Sequence, residues 1–299
     1  MATLEKGSLF PAEIVSELIN QVRCKSSIAK MAAQTPVAFN GTDVFTFSMD
    51  NEVNIVAEGG AKPAGGVSVQ PVHIVPLKVE YGARVTDEFM YAAEEKQIEI
   101  LKAFNEGYAR KIARGLDLMA FHGINPRTGA RSAIIGNKSF DTNNDVAKVT
   151  YDASDLEGNL EDAVAALGDY DLTGIALSKT FASGLGKLKV NGVRQYPEFA
   201  LGSAPATLGG HAVDVNSTVS KAVTVEESTI TDHVILGDFA GAFRWGYAKN
   251  IPLEIIPYGD PDQSGEDLKA HNQVYLRAET YLGWAILIPE AFACVQATA

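Results

Sequence analysis

The chain has 299 residues, of which 46% are hydrophobic, and 37 acidic against 25 basic side chains give a formal charge of -12. This length and apolar content are enough to bury a substantial core in one or two domains, which excludes a disordered chain. The acidic balance argues against a protein whose main task is to grip nucleic-acid phosphates, and no apolar run approaches the roughly 18 residues of a membrane helix. Residues Met1 to Pro11 lack the apolar core of a signal peptide, so an intracellular place of synthesis is expected.

The first 36 residues contain one short amphipathic stretch, Pro11 to Val22, with Pro11 suited to the first helical position. The polar segment around Lys25 to Thr35 reads as an arm. It has too little apolar surface to fold alone and must lie on another part of the molecule or on another molecule. From Val37 to Val85 the pattern is extended: Val53, Ile55 and Ala57 alternate, as do Leu77, Val79, Tyr81, Ala83 and Val85. Between them Glu58 to Gly66, EGGAKPAGG, marks a glycine-rich tip. A long two-stranded ribbon has little core behind it and calls for a partner surface.

The stretch from Thr86 to Gly123 predicts one long helix, with Thr86 as N-cap, acids in its first half, Arg110, Lys111 and Arg114 in its second, and Gly123 as the stop. Apolar positions recur at helical spacing through Ile98, Leu101, Phe104, Tyr108, Ile112, Leu116 and Met119. A break near Gly107 into two ordinary helices is the alternative. After the turn-rich loop Asn125 to Ser132, a new unit begins near Thr150. Its expected elements are a helix over Asp155 to Leu167, a strand over Gly174 to Leu177, a helix or loop over Lys179 to Leu188, and strands His211 to Val215, Val234 to Leu236, Ala242 to Tyr247 and Leu253 to Ile256. The last segment, Asn272 to Val295, reads as two strands around Leu282-Gly283. The simplest topology inserts the middle α/β unit into a domain made by the long helix and the C-terminal strands, an α+β arrangement.

Reactive constellations are missing from the pattern. The five histidines, His73, His122, His211, His233 and His271, show no helical metal-pair spacing. Cys24 and Cys294 form no Cys-x-x-Cys pair and read as buried free thiols. No phosphate loop, dinucleotide fingerprint or nucleophile elbow is present, and Asp238 in GDFAGAF reads as a turn residue. Arg244 beside Trp245 and Arg277 beside Glu279 read as cross-strand pairs or solvated faces. Arg127 and Arg131 are weak candidates for nucleic-acid contact on an acidic chain. Catalytic, cofactor-binding and metal residues are therefore expected to be none.

The order of parts, carried locally by IVAEGGAKP at Ile55 to Pro63, ARGLDLMAFHG at Ala113 to Gly123, LGDFAGAFRWG at Leu236 to Gly246 and VYLRAETYLGWAILIPEAFACV at Val274 to Val295, resembles the major capsid proteins of tailed bacteriophages with the Hong Kong 97-type fold. The resemblance implies an N-terminal arm (1–36), an extended β-hairpin loop (37–85), a peripheral domain with a spine helix (86–149), an axial α/β domain (150–262) and peripheral C-terminal strands (263–299). It implies a non-enzymatic protein that self-assembles through pentamers and hexamers into an icosahedral head enclosing double-stranded DNA. An acidic chain is compatible with enclosing DNA without adhering to it. The expected setting is the virion capsid, and the host cytoplasm during assembly, with a portal, a separate scaffolding protein and decoration proteins as partners and no membrane.

The resemblance makes Glu58, Lys62, Arg127, Arg131, Asn272 and Glu279 candidate inter-subunit contacts. Some members of the family rivet the shell with a lysine–asparagine isopeptide bond assisted by a glutamate. Asn272 and Glu279 match the asparagine and glutamate, whereas Ala64 to Val75, where the lysine is expected, contains none, and Lys62 is the remaining lysine of the tip. No autocatalytic cross-link is expected. An encapsulin-like nanocompartment shell is the nearest alternative. An α/β enzyme binding a nucleotide near Gly209-Gly210 is a more distant one, since it needs convergent reactive groups.

Overall fold

The computed structural model describes residues 26–49, 53–61, 64–91, 94–225 and 228–298. The expected helix over Pro11 to Val22, Cys24 and Lys62 lie outside the described residues. The longest helix, α3 (Glu94–His122), has 29 residues, and at about 1.5 Å per residue it spans roughly 43 Å. Leu101, Phe104, Tyr108, Ile112, Leu116 and Met119 recur every three to four residues; Phe104 is half-buried and the others are buried. This stripe carries the helix through Gly107 and Gly115, each of which alone costs about 1 kcal/mol relative to alanine. Gly123 ends it in the left-handed region, with φ +65° and its N–H donated to the Met119 carbonyl at 3.0 Å.

The N-terminal boundary differs from the expectation. Thr86 is no helix cap; it is the last residue of strand β3 (Leu77–Thr86), opposite Gln273. The Asp87 amide then donates to the Asn272 carbonyl, and a short helix α2 (Glu88–Tyr91) follows. A neighbouring strand offering backbone partners overrides the local capping preference of Thr86.

Strand β3 also departs from the expected ribbon. It pairs antiparallel with β13 (Gln273–Ile286), whose other edge takes β12 (Phe243–Ile256), in a three-stranded sheet. The ribbon is instead β1 (Thr42–Met49) paired with β2 (Val67–Ile74). Residues Val53 to Ala57 form no strand. Strand β12 runs unbroken where two strands were expected. It leaves the middle unit's sheet altogether.

The middle of the chain follows the sequence reading closely. Helix α4 (Leu156–Ala165) is capped by Asp155, whose carboxylate accepts from Gly158, and helix α5 (Lys179–Leu185) by the hydroxyl of Ser178. They accompany β4 (Ala147–Thr150), β5 (Gly174–Leu177), a small hairpin of β6 (Lys189–Val190) and β7 (Val193–Arg194), β8 (Thr207–Leu208), β9 (His211–Val215), β10 (Val223–Val225) and β11 (Ser228–Gly237). The C-terminal strand β14 (Phe292–Thr298) inserts between β4 and β11 in a seven-stranded sheet of order β4-β14-β11-β5-β9-β8, with β10 also on β11. The two C-terminal strands thus break at Leu287–Ala291 and serve different sheets.

Strands β11 and β14 form a common wall. Val234, Leu236, Ala293 and Val295 face one core with Leu156, Phe181 and Leu185, while Ile235, Phe292 and Cys294 face the other, with α3 and the three-stranded sheet. The alternation of a strand is what allows two adjacent residues to serve two cores. The second core centres on Phe140, whose ring meets Phe121, Phe239, Phe243 and Phe292 at centroid distances of 5.0 to 5.8 Å for three of them and 5.9 Å for Phe239. Cys294 is a buried free thiol there. Among the described residues no helix is long and apolar enough to cross a membrane.

Candidate assembly surface

The β1–β2 ribbon has two unlike faces, fixed by its register. On one, Val44 and Val72 are half-buried and Ile74 is buried with Val37 and Ala285, which seats the base of the ribbon on the body. On the other, Phe45 stands opposite Pro71, Phe47 opposite Val69 and Met49 opposite Val67. Phe45, Phe47 and Met49 are 67%, 61% and 73% exposed, and Val67 and Val69 are 58% and 53% exposed. Beyond them Val53 and Ile55 are almost wholly exposed, and Glu58-Gly59 makes the turn of the tip, with Gly60 donating to the Ala57 carbonyl. Scattered exposed apolar residues need no explanation, but a continuous apolar face along a ribbon is the signature of an interaction surface.

The segment from Ser26 to Val37 is held on its own molecule. Helix α1 (Ser27–Met31) begins at Ser26, and its first turn sits on the fully buried carboxylate of Asp117 from α3. That carboxylate accepts from the Ser26 hydroxyl, the Ser27 amide at 3.1 Å, the Ile28 amide at 3.3 Å, the Thr218 hydroxyl at 2.9 Å and the Asn216 amide group at 3.3 Å. Burial pushes Asp117 up to about 6, against the opposing effect of these hydrogen bonds. Asp214 takes the Ser27 hydroxyl and the Lys30 ammonium. Further on, the Trp245 indole donates to the Ala32 carbonyl at 3.0 Å and the Thr35 amide to the Trp245 carbonyl at 2.9 Å. A Cβ on Gly246 would fall 1.6 Å from the Thr35 oxygen, so the close approach requires glycine. The polar residues that read as an arm are ligands for a buried acid. Nothing in their spacing announces a partner 90 residues away.

Of the sequence candidates, Glu58, Arg127 and Arg131 are exposed, the last two in the loop after α3, where Ile124 and Arg131 form an isolated bridge. Asn272 adopts a left-handed backbone, φ +52°, at the entry to β13. Glu279 lies seven residues further along that strand, roughly 23 Å at about 3.3 Å per residue, and is held by Lys78 at 2.7 Å and approached by Arg277 at 3.5 Å. Lys78 is raised by its hydrogen bond to Glu279. Arg277 pairs with Glu254 at 2.8 Å directly across β12–β13, as expected of a cross-strand pair. Asp238 accepts from the Gly241 amide at 2.8 Å and is a turn residue. Asn272 and Glu279 thus lie at the entry and in the middle of the same strand.

Arg84 anchors the loop Gly259–Asp267 to β3. Its guanidinium binds Asp260 at 2.9 Å, Asp262 through Nε at 2.9 Å, the hydroxyl of Ser264 and the carbonyl of Glu266 at 2.9 Å. This bidentate contact holds Asp262 well below the usual carboxylate range. One cluster of potential metal ligands occurs among the described residues: His122, Asp141 and Asp232, with donor atoms within 4.8 Å of one another. Sequence spacing missed it because the three come from a helix end, a loop and a strand.

A model of the phage capsid family matches residues 6–297. The chain belongs to the phage capsid family. This capsid protein is the subunit of an icosahedral shell and has the Hong Kong 97-type fold. A solved structure from Mycobacterium phage Ogopogo is 29% identical, with a TM-score of 0.76 over 91% of this chain and 92% of that one. One from Gordonia phage Cozz, 24% identical, has a TM-score of 0.73 over 92% and 87% of the respective chains, and supports the fold alone. The same holds for the capsid of an empty GTA particle computed with C5 symmetry, 16% identical, with a TM-score of 0.65 over 92% and 90%. No curated protein matches the sequence.

Proposed function

We propose that the capsid protein builds its shell by laying the apolar face of the β1–β2 ribbon on an adjacent copy. The observation that carries this reading is the unpartnered row Phe45, Phe47 and Met49 on a ribbon whose opposite face is seated on its own body. A two-stranded ribbon is marginal alone, and full burial of large apolar side chains stabilises by about 1.5–3 kcal/mol each. Contacts of this kind, repeated around pentamers and hexamers, sum by avidity. Glu58, Lys62, Arg127 and Arg131 serve as polar contacts around the ribbon tip and the loop after α3. The three-stranded sheet and α3 form the peripheral unit. The seven-stranded sheet with α4 and α5 forms the axial unit at the five- and six-fold centres.

The head encloses double-stranded DNA, assembles in the host cytoplasm, and works with a portal, a separate scaffolding protein and decoration proteins. The chain has no catalytic role. Glu279, engaged by Lys78 and Arg277, does not promote an isopeptide bond at Asn272, so mature shells run as single chains on a denaturing gel; covalent ladders would overturn this point. The main test is electron microscopy with light scattering on the purified protein, alone and co-expressed with neighbouring reading frames. Closed shells or capsomer rings are expected. A compact monomer under both conditions refutes the proposal, and a small particle filled with protein instead of DNA supports a nanocompartment.

A further inference from the structure

His122 closes α3, Asp141 lies in the loop that follows and Asp232 projects from β11, all three inside the molecule. The His122 Nε2–H donates to the Thr218 carbonyl at 2.8 Å. That bond leaves Nδ1 of a neutral ring as a lone pair, and it faces two carboxylates, 2.7 Å from Asp141 Oδ2 and 3.4 Å from Asp232 Oδ2. The ring nitrogen and the two carboxylates converge within 4.8 Å of one another. The other Asp141 oxygen takes the Gln296 amide at 3.2 Å, whereas both oxygens of Asp232, a fully buried residue, have no hydrogen-bond partner. The lysine of this region, Lys148, gives its ammonium to the Phe140 carbonyl.

A buried unpaired carboxylate costs several kcal/mol and is retained only beside a cation or a proton. A proton shared by Asp141 and Asp232 joins that pair alone and leaves the imidazole out. A metal ion serves all three groups at once. We propose that His122, Asp141 and Asp232 form a structural zinc-type site, in which Nδ1, one Asp141 oxygen and the carboxylate of Asp232 hold a divalent transition-metal ion.

The donor set and the surroundings both favour this class. An imidazole nitrogen with carboxylate oxygens suits Zn²⁺, which accepts four ligands at about 2.0–2.2 Å, and the second Asp232 oxygen can supply the fourth. Calcium needs six to eight oxygens and magnesium keeps several waters, for which this interior offers too few ligands. Thr218 on the far ring nitrogen and Gln296 on Asp141 are the outer hydrogen bonds that orient such ligands. The ion would tie the end of the long helix to the seven-stranded sheet, at the irregularity in β11–β14 pairing between Asp232 and Val234. Because the site is closed, loading accompanies folding.

The test is elemental analysis of native shells and of chain refolded from denaturant with chelator, Zn²⁺, Mn²⁺ or Mg²⁺. The expected result is about one zinc per chain in shells, refolding that Zn²⁺ restores and chelator or Mg²⁺ does not, and loss of the metal in Asp232→Asn but not in the surface control Asp262→Asn. Well-folded native shells with less than about one metal per ten chains overturn the proposal, as does equal refolding in chelator. Should Asp232→Asn fail to fold, the parent's metal content and refolding decide the matter.

Discussion

Asp117→Asn isolates the acid that seats the N-terminal segment on α3. Its folded-state value, about 6, stands above the ordinary 3.8 because burial opposes the charge more than the hydrogen bonds favour it. The folded chain therefore holds this proton more tightly than the unfolded chain. The resulting stabilisation is full below the unfolded value and is lost as pH rises through the folded one. Going from about pH 7.5 to about pH 5 adds about 1.4 kcal/mol to the parent through this group, and the asparagine variant gains nothing from it. The remaining titrations are common to both proteins and cancel in the difference. Thermal melts of unassembled subunits across that range are expected to show the gap between parent and variant widening on acidification, by roughly 3 °C for a chain of this size. Amide exchange at Ser27 and Ile28, whose N–H groups lose their carboxylate, locates the effect. Parallel pH curves, or a gap that narrows in acid, would refute the reasoning.

Phe47→Asp leaves the melting of the unassembled subunit within about 0.5 kcal/mol of the parent, because the side chain is exposed there, yet it abolishes shell formation in light scattering. Gly246→Ala places a Cβ against the Thr35 carbonyl, a backbone atom that cannot yield cheaply; the segment from Ala32 to Val37 is expected to detach and become cleavable by protease, with a loss of more than about 2 kcal/mol. Arg84→Ala frees the Gly259–Asp267 loop and raises its amide exchange by about tenfold or more. It changes the melting temperature little, since the acids it binds are solvent-screened.

The long helix and the middle unit were legible because each is locally consistent. The stripe from Leu101 to Met119 has one period throughout, and Asp155 and Ser178 sit where caps belong. The ribbon was legible in kind but not in register. Leu77 to Val85 alternates as cleanly as a ribbon strand should, and only the presence of β13 decides that it joins a sheet; Phe45 and Phe47 carry the same alternation with fewer punctuating residues. The three metal-type ligands and the Asp117 seat were not legible. Their partners are set by tertiary folding at separations from 19 to 110 residues, and local spacing holds no record of such pairs.

The two faces of the ribbon explain how weak contacts can suffice. Association must offset the ordering of whatever segment makes the contact, and a free arm would bring that cost to every interface. Here the cost is met within the subunit: Ile74 is packed with Val37 and Ala285, His73 pairs with Asp43 at 2.5 Å, and Val37 itself donates to the Tyr247 carbonyl on the strand beside β13. The chain leading into the ribbon is seated in turn by Trp245 and Asp117. The aromatic face is therefore presented in one orientation before any neighbour arrives. If the ribbon lies on an adjacent copy as proposed, a small gain per contact becomes decisive, since each subunit then both gives a ribbon and receives one.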